Sequence, residues 1–197
     1  MSTNFTKEYK AFGKQIGVSN IQAVPKVTRV VVNVGVGKNR DNQAFLETVK
    51  RDVAMICGQM PHERKARKAV AGFKVRQGNL VGYRVTLRGA RRDDFIKRFV
   101  AVTLPRVRDF RGISVTALDG RGNLNVGLRE QLPFPEVHAD KTDFVFGVQV
   151  TFVTGAADNE TGEALFRALG FPLTKEEIDN VGVVPVAEKK GKSKNKS

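Results

Sequence analysis

A glycine-containing loop that could hold a phosphate lies between a predicted strand and a predicted helix. Its sequence is Gly35-Val-Gly-Lys-Asn-Arg40, and loops in this context can place backbone N–H groups around an anion. The P-loop pattern requires a wider spacing of its glycines and a Ser or Thr where Asn39 stands. The dinucleotide-binding pattern requires a further glycine where Arg40 stands. The spacing therefore disfavours a nucleotide site and favours a tight turn or a backbone that passes close to RNA.

The other residue types that commonly carry chemistry do not predict an enzyme. Cys57, the single cysteine, ends a predicted helix with no histidine in a catalytic arrangement, which favours a small buried thiol. The histidines, His62 and His138, lie far apart without the paired cysteines of a zinc site. We therefore predict no catalytic residue, no metal site and no cofactor. One cysteine and the lack of a long apolar run favour a cytoplasmic protein without a membrane partner.

Positive charge is concentrated in the middle of the chain. The 197 residues include 34 Lys and Arg against 20 Asp and Glu, a formal net charge of +14. Between Gln59 and Arg111 there are 15 basic and 4 acidic residues, a net of +11. A basic middle with nearly neutral flanks is typical of a surface that binds a polyanion, although solvated cations on exposed helices are the alternative. The Lys-rich tail 188–197 has no apolar residue and is predicted to be disordered.

Hydrophobic periodicity predicts an α+β fold. Apolar residues at helical spacing predict helices over 4–17, from a capping Asp41 to Cys57, over 93–104 and over 159–169. Alternation predicts strands over 27–36 and 144–152, two strands within 72–88 joined around 77–79, and a hairpin over 113–128 around Asp119–Asn123. Since strands and helices do not alternate strictly, we expect a mixed or antiparallel sheet with helices covering one face. One domain is predicted over 1–187, with its core in 25–172.

The same alternation places a polar set on the face of the sheet that the helices leave open. The set is rich in cations and hydrogen-bonding groups and has no acid: Arg29, Asn33, Lys74, Arg76, Arg84, Thr86 and Arg88. Such a surface can neutralise phosphates and pair with sugar or base edges. A face that simply meets water is the alternative.

A dense cationic segment runs from Ile56 to Gly78. It combines a helix exit, a basic run and an aromatic residue near a glycine-containing tip. This composition suits a loop inserted against folded RNA, where shape and phosphate contacts dominate. Arg67 and Lys68 would position the loop, and Phe73 would either stack on a base or anchor the loop.

Six ordered motifs between about Pro25 and Phe171 resemble the bacterial ribosomal large-subunit protein L5 family. They are Val32–Gly37, Ile56–Gly78, Val85–Gly89, Leu104–Gly112, Asp119–Asn123 and Arg129–Glu136. The resemblance implies a non-enzymatic protein that binds 5S rRNA and helps attach it to 23S rRNA in the central protuberance. It also implies contacts with the P-site tRNA, with neighbouring ribosomal proteins and with a small-subunit protein of the S13 type.

The resemblance also assigns candidate residues. Asn33, Gln59 and Thr86 match motif positions that would hydrogen-bond 5S rRNA, and Arg29, Arg84 and Arg88 lie beside them. The family's tRNA-approaching region corresponds here to a loop whose candidate residues are Lys65, Arg67, Lys68, Gly72, Phe73, Lys74 and Arg76. Two other classes stay open on the residues alone: a phosphotransfer protein using Gly35–Lys38, and a general basic binder of nucleic acid or membrane surfaces.

Overall fold

The structure is a computed structural model, and it describes residues 5–37, 39–138, 142, 144–174 and 183–184. Its helices are α1 (Thr6–Gln15), α2 (Gln43–Cys57), α3 (Gly89–Arg98) and α4 (Asn159–Ala168). Its strands are β1 (Val27–Gly35), β2 (His62–Lys65), β3 (Leu80–Leu87), β4 (Ile113–Ser114), β5 (Leu124–Leu128), β6 (Val148–Thr154), β7 (Leu173–Thr174) and β8 (Val183–Val184). The predicted disordered tail 188–197 and Lys38 lie outside the described residues. The predicted domain limits, 1–187, also fall partly outside them and stay a prediction.

The strands form a largely antiparallel sheet with helices on one face, which confirms the α+β class. Six strands pair in the order β2-β3-β1-β6-β5-β8, and β4 pairs in parallel with β7 in a separate two-stranded sheet. Val30, Val32 and Val34 of β1 are almost completely buried beneath the helices. Phe99 lies 5.2 Å from Phe152 between ring centroids, so the segment after α3 packs directly on β6.

Helix α2 forms where its apolar stripe predicts, but a different residue caps it. Phe45, Val49, Val53 and Ile56 are buried, and Gly58, directly after the helix, adopts the left-handed region with φ of 61°. The predicted cap, Asp41, is wrong by one residue. The Asn42 side chain accepts a hydrogen bond from the Phe45 N–H instead, a contact worth about 1 kcal/mol in typical helices.

The third helix starts earlier than its predicted first residue, 93. Helix α3 begins at Gly89 and continues as a π-helical turn (Phe99–Thr103) and a 3-10 turn (Leu104–Arg106). Asp93 is therefore inside the helix, where it is buried and paired with Arg92 at 2.6 Å. Because a buried carboxylate needs a partner, this pair lets an acid face the core.

Two predicted strand regions are also wrong in detail. The arms of the predicted 113–128 hairpin do not pair as a long ladder, because β4 pairs with β7 while residues Val115–Ala117 form a 3-10 turn. The Asp119–Asn123 turn does form, with Gly120 and Gly122 at positive φ. The strand predicted from residue 144 begins at Val148. Before it, the buried Gln131 side chain donates to the Phe144 carbonyl and accepts from the Phe146 N–H, replacing strand pairing.

Candidate nucleic-acid interface

The open face of the sheet carries a row of polar residues in register across four strands. Asn33 of β1 lies opposite Arg84 of β3 on one side and Gln149 of β6 on the other. Arg84 in turn lies opposite His62 of β2. Residues directly opposite each other in an antiparallel pair place their side chains on the same face. His62, Arg84, Asn33 and Gln149 therefore form one continuous row.

A second row lies beside the first. Thr86 of β3 is opposite Val31 of β1, which is opposite Thr151 of β6. Thr151 also faces Asn125 of β5, and its hydroxyl donates to the Asn125 side-chain oxygen at 2.8 Å. Arg29 follows on β1 opposite Val153, next to a bulge. We call these two rows with Arg29 the polar face.

No described helix covers the polar face. Asn33, Arg84 and Thr86 are half-buried and Arg29 is exposed, whereas the alternate residues of β1 and β3 are buried in the core. Glu63, the acid of β2, faces the buried Tyr83 and so belongs to the opposite side of the sheet. The structure confirms the predicted placement of Asn33 and Thr86 on the face opposite the core, and no acid lies in their rows among the described residues.

Apart from the paired Thr151 and Asn125, the main functional groups of the polar face have no partner among the described residues. Among the described residues, Arg29, Arg84 and Arg88 form no ion pair, since the pairs involve other arginines. The Asn33 carboxamide and the Thr86 hydroxyl have no hydrogen-bond partner in the described part of the chain. Arg88 lies between β3 and α3 and is exposed. Within the part of the chain that the structure describes, the face therefore offers cations without an ion pair beside neutral donors and acceptors.

Gln59 lies off the sheet, in the connection between α2 and β2. Its side-chain oxygen accepts from Arg91 Nη1 of α3 at 3.4 Å. Because Gln59 remains half-buried rather than enclosed, its amide N–H groups stay available. The structure thus brings Asn33 and Thr86 together in the sheet, whereas Gln59 is held separately by the helix layer.

The prediction that Lys74 and Arg76 lie on the sheet face is wrong. The strand that forms a hairpin with β3 is the charged strand β2, not the predicted strand within 72–76. Residues 66–79 form a loop at the end of this hairpin, which we call the hairpin loop. Within it, Ala66 and Asn79 pair through their backbones, Val70 bridges Val75, and Ala71–Phe73 form a 3-10 turn. Phe73 is 78% exposed, so the alternation of apolar and basic residues there reflects no buried face.

The hairpin loop nevertheless gathers the second candidate set at one end of the molecule. Lys65 ends β2, and the loop carries the other six residues, all exposed: Arg67, Lys68, Gly72, Phe73, Lys74 and Arg76. Lys74 adopts the left-handed region with φ of 52°. Its carbonyl accepts from Arg40 Nη2 at 2.7 Å, which ties the loop to the turn after β1.

Several residues of the polar face escaped the sequence analysis. Gln149 and Thr151 alternate with the apolar residues of β6, so the same period-two argument could have found them. Asn125 likewise lies between Leu124 and Val126 in an alternating run within the predicted hairpin. His62 had no such signal, because β2 is short and charged. The positions of His62 and Asn125 follow from pairing with β3 and β6.

The remaining reactive groups fit a structural role. Burial raises the pKa of the Cys57 thiol to about 12, so this side chain stays protonated and is a poor nucleophile. Within the described ranges, no cluster of three or more His, Cys, Asp or Glu residues could hold a metal ion. None of the helices in that part of the chain combines the length and the hydropathy of a membrane span.

Comparison with known proteins links the chain to one family. Residues 20–76 match the family model described as ribosomal protein L5, and residues 80–173 match the model for the C-terminus of that family. The large ribosomal subunit protein uL5 of Synechococcus elongatus is 50% identical over 160 residues, covering 81% of this chain and 89% of that protein. The uL5 protein of a Psychrobacter species is 45% identical over 170 residues, covering 86% and 96%.

Proposed function

This chain belongs to the ribosomal protein L5 family, and from that premise we propose that it binds 5S rRNA through its polar face. Members of this family are structural, non-enzymatic constituents of the large ribosomal subunit in the cytoplasm, and so is this chain. Through the same interaction it helps attach 5S rRNA to 23S rRNA in the central protuberance. The phosphotransfer alternative for Gly35–Lys38 is set aside, because the family is not enzymatic.

The observation that carries the proposal is a set of groups on an open sheet face that, among the described residues, have no partner, no acidic neighbour in their rows and no helix over them. RNA recognition combines phosphate neutralisation with hydrogen bonds to 2′-hydroxyls and base edges. Arg84 lies directly opposite Asn33, so a phosphate held by the guanidinium would bring a ribose or base within reach of the carboxamide. Thr86 offers a hydroxyl two residues further along the same strand and on the same face.

Gln59 would add a contact from outside the sheet. Its oxygen already accepts from Arg91, so the free amide N–H groups would donate to an RNA oxygen. Arg88 and Arg91 lie at the beginning of α3, where their charges would support the same contact.

We further propose that the hairpin loop contacts the P-site tRNA. Support comes from its place at the end of a hairpin, from its exposed cations and from its correspondence to the family's tRNA-approaching region. Contacts with neighbouring ribosomal proteins, including a small-subunit protein of the S13 type, are proposed on family membership.

The test is binding of 5S rRNA by the full chain and by Asn33→Ala and Thr86→Ala variants. Each variant removes one neutral hydrogen bond, typically worth about 0.5–1.5 kcal/mol, so affinity should fall roughly 2- to 13-fold. Gln15→Ala, at the exposed end of α1, is the control and should bind like the original chain. Unchanged affinity in both test variants, with thermal melting also unchanged, would refute the proposed site.

A further inference from the structure

A cleft of about 780 Å³ adjoins the polar face at the end of β1. Its floor is the chain from Gly35 to Gly37, and its walls are the turn 39–41 with Phe45, the hairpin-loop residues 73–75 and the segment 145–147. We call it the glycine cleft. Gly35 lies opposite Gly82 and two residues beyond Asn33 on the same side of β1. The floor of the cleft is therefore continuous with the polar face, next to the row that contains Asn33.

The floor of the cleft consists of glycines at positions where the fold leaves space for a side chain. A Cβ atom placed on Gly35 or on Gly37 would meet no atom of the described residues within 4 Å, and neither glycine has positive φ. Gly82 differs, because its Cβ would lie 2.7 Å from the Val34 carbonyl oxygen, so that position needs glycine for packing. At Gly35 and Gly37, in contrast, the absence of a side chain leaves room for something outside the chain.

The walls are held in place by contacts within the protein. Gln131 is completely buried and fixes the segment 144–146 through its two hydrogen bonds, of 2.7 Å and 3.0 Å. The Phe45 ring packs edge-on against Phe144 and Phe146, at 5.6 Å and 6.4 Å between centroids. The bond from Arg40 to the Lys74 carbonyl joins the opposite walls. The shape of the cleft thus exists before any ligand enters.

The lining combines apolar surface with charge. Phe73 and Val145 are 78% and 57% exposed, so their apolar surfaces are open to a ligand. Lys74 places a cation at the rim, where Arg40 is ion-paired at 3.7 Å with the exposed Asp41 carboxylate. An aromatic face can stack on a base, cations can hold a phosphate, and a carboxylate can accept from an exocyclic amino group.

We propose that the glycine cleft receives one unstacked nucleotide of the same RNA that lies on the polar face. The base would rest against Phe73 and Val145 above the bare floor, with its phosphate beside Lys74. Continuity of the floor with the Asn33 row favours 5S rRNA over a separate RNA molecule. The inference rests on the proposed function, and it assigns Phe73 to rRNA while the outer cations of the hairpin loop remain available to tRNA.

The experiment compares full-length Gly35→Val, Phe73→Ala and Gly155→Val variants for binding to 5S rRNA, to deacylated tRNA and to a plain RNA duplex. Gly155 is the matched control, since it lies beyond the far end of β6 and its Cβ would make only an ordinary 3.9 Å contact. Chemical probing of unpaired bases in the 5S rRNA complex supplies the second measurement. Thermal melting checks that each variant folds.

We expect Gly35→Val and Phe73→Ala each to weaken 5S rRNA binding roughly 5- to 150-fold, the range for loss of one stacked base. Both should expose the same single unpaired base to the probe, whereas Gly155→Val should change neither measurement. The inference is overturned if both variants bind and protect 5S rRNA normally while Asn33→Ala weakens binding, an outcome that leaves the proposed function intact. A loss confined to tRNA also overturns it. If the unaltered chain does not prefer 5S rRNA to the duplex, the proposed function fails as well.

Discussion

The polar face and the hairpin loop carry similar charges but obtain their positions in different ways. Asn33 is fixed by strands on both sides, and the alternate residues of β1 beneath it are buried in the core. The hairpin loop depends on a few backbone pairs and on the bond from Arg40 to the Lys74 carbonyl. A surface held by register can present hydrogen-bonding groups at defined spacing, whereas an exposed loop is better suited to less directional phosphate contacts.

The test with the largest expected effect compares two double variants, each of which removes two cations from one of the two regions. Arg29→Ala with Arg84→Ala should lower 5S rRNA affinity on the order of 10²- to 10⁴-fold, because charged hydrogen bonds are each worth about 1.5–3 kcal/mol. Losing two phosphate contacts should also reduce the slope of log affinity against log salt by about 1 to 2. Filter binding over a salt series measures both quantities.

The matched control is the loop pair Arg67→Ala with Lys68→Ala, which removes the same charge. It should leave the salt slope for 5S rRNA close to that of the original chain and weaken tRNA binding instead. Equal losses of 5S rRNA affinity in the two double variants would show that net charge, rather than position on the sheet, decides binding.

A smaller effect is expected where a side chain replaces strand pairing. Gln131→Ala leaves the Phe144 carbonyl and the Phe146 N–H without their partner. Buried groups left unpaired cost about 1–3 kcal/mol each, so the loss of both bonds should lower the free energy of unfolding by about 2–6 kcal/mol. Urea denaturation measures this loss, with the exposed Gln22→Ala as the control. A change below about 0.5 kcal/mol, the usual range for surface substitutions, would contradict the role of Gln131.

The same contrast explains what the sequence could predict. Alternation correctly placed Asn33 in β1 and Thr86 in β3. The neighbours of each residue along its own strand pack into the core, which enforces the period of two. Phe73 to Arg76 show the same alternation, but none of the described strands includes them and Phe73 stays exposed. The alternation therefore predicted a strand that does not form there. The pattern alone does not report whether a partner strand exists.

Features that join distant segments had no local signal. The pairing of β2 with β3, the two bonds made by Gln131 and the walls of the glycine cleft all connect residues far apart in the chain. The helix cap was off by one residue because Asp41 and Asn42 are both good caps, and only the backbone geometry selects the second. Gln59 became a candidate residue through the motif resemblance alone. Its contact with Arg91 joins residues that the periodicity of the sequence does not bring together.

The smallest expected effect lies at the far edge of the polar face, in the turn that leads into β5. Asp119 accepts hydrogen bonds from the Arg121 N–H at 2.9 Å, the Asn123 N–H at 3.1 Å and the Asn123 side chain at 2.7 Å. Burial opposes ionisation, but these bonds outweigh it and lower the pKa of the Asp119 carboxyl. The group therefore stabilises the fold fully above its unfolded pKa of about 3.9, and this contribution is lost as pH falls through the lower folded pKa.

An Asp119→Asn variant separates this turn from the hairpin loop. It should be less stable than the original chain near neutral pH, and the difference in free energy of unfolding should shrink as the pH is lowered past the folded pKa. Denaturant titrations at a series of pH values measure that difference. Because Asn125 of the polar face follows this turn in β5, 5S rRNA affinity should weaken slightly in the variant, while tRNA binding through the hairpin loop should not change. A stability difference that is constant with pH would mean that the carboxylate does not hold the turn, and that β5 is held at the far edge of the polar face by its pairing with β6 and β8.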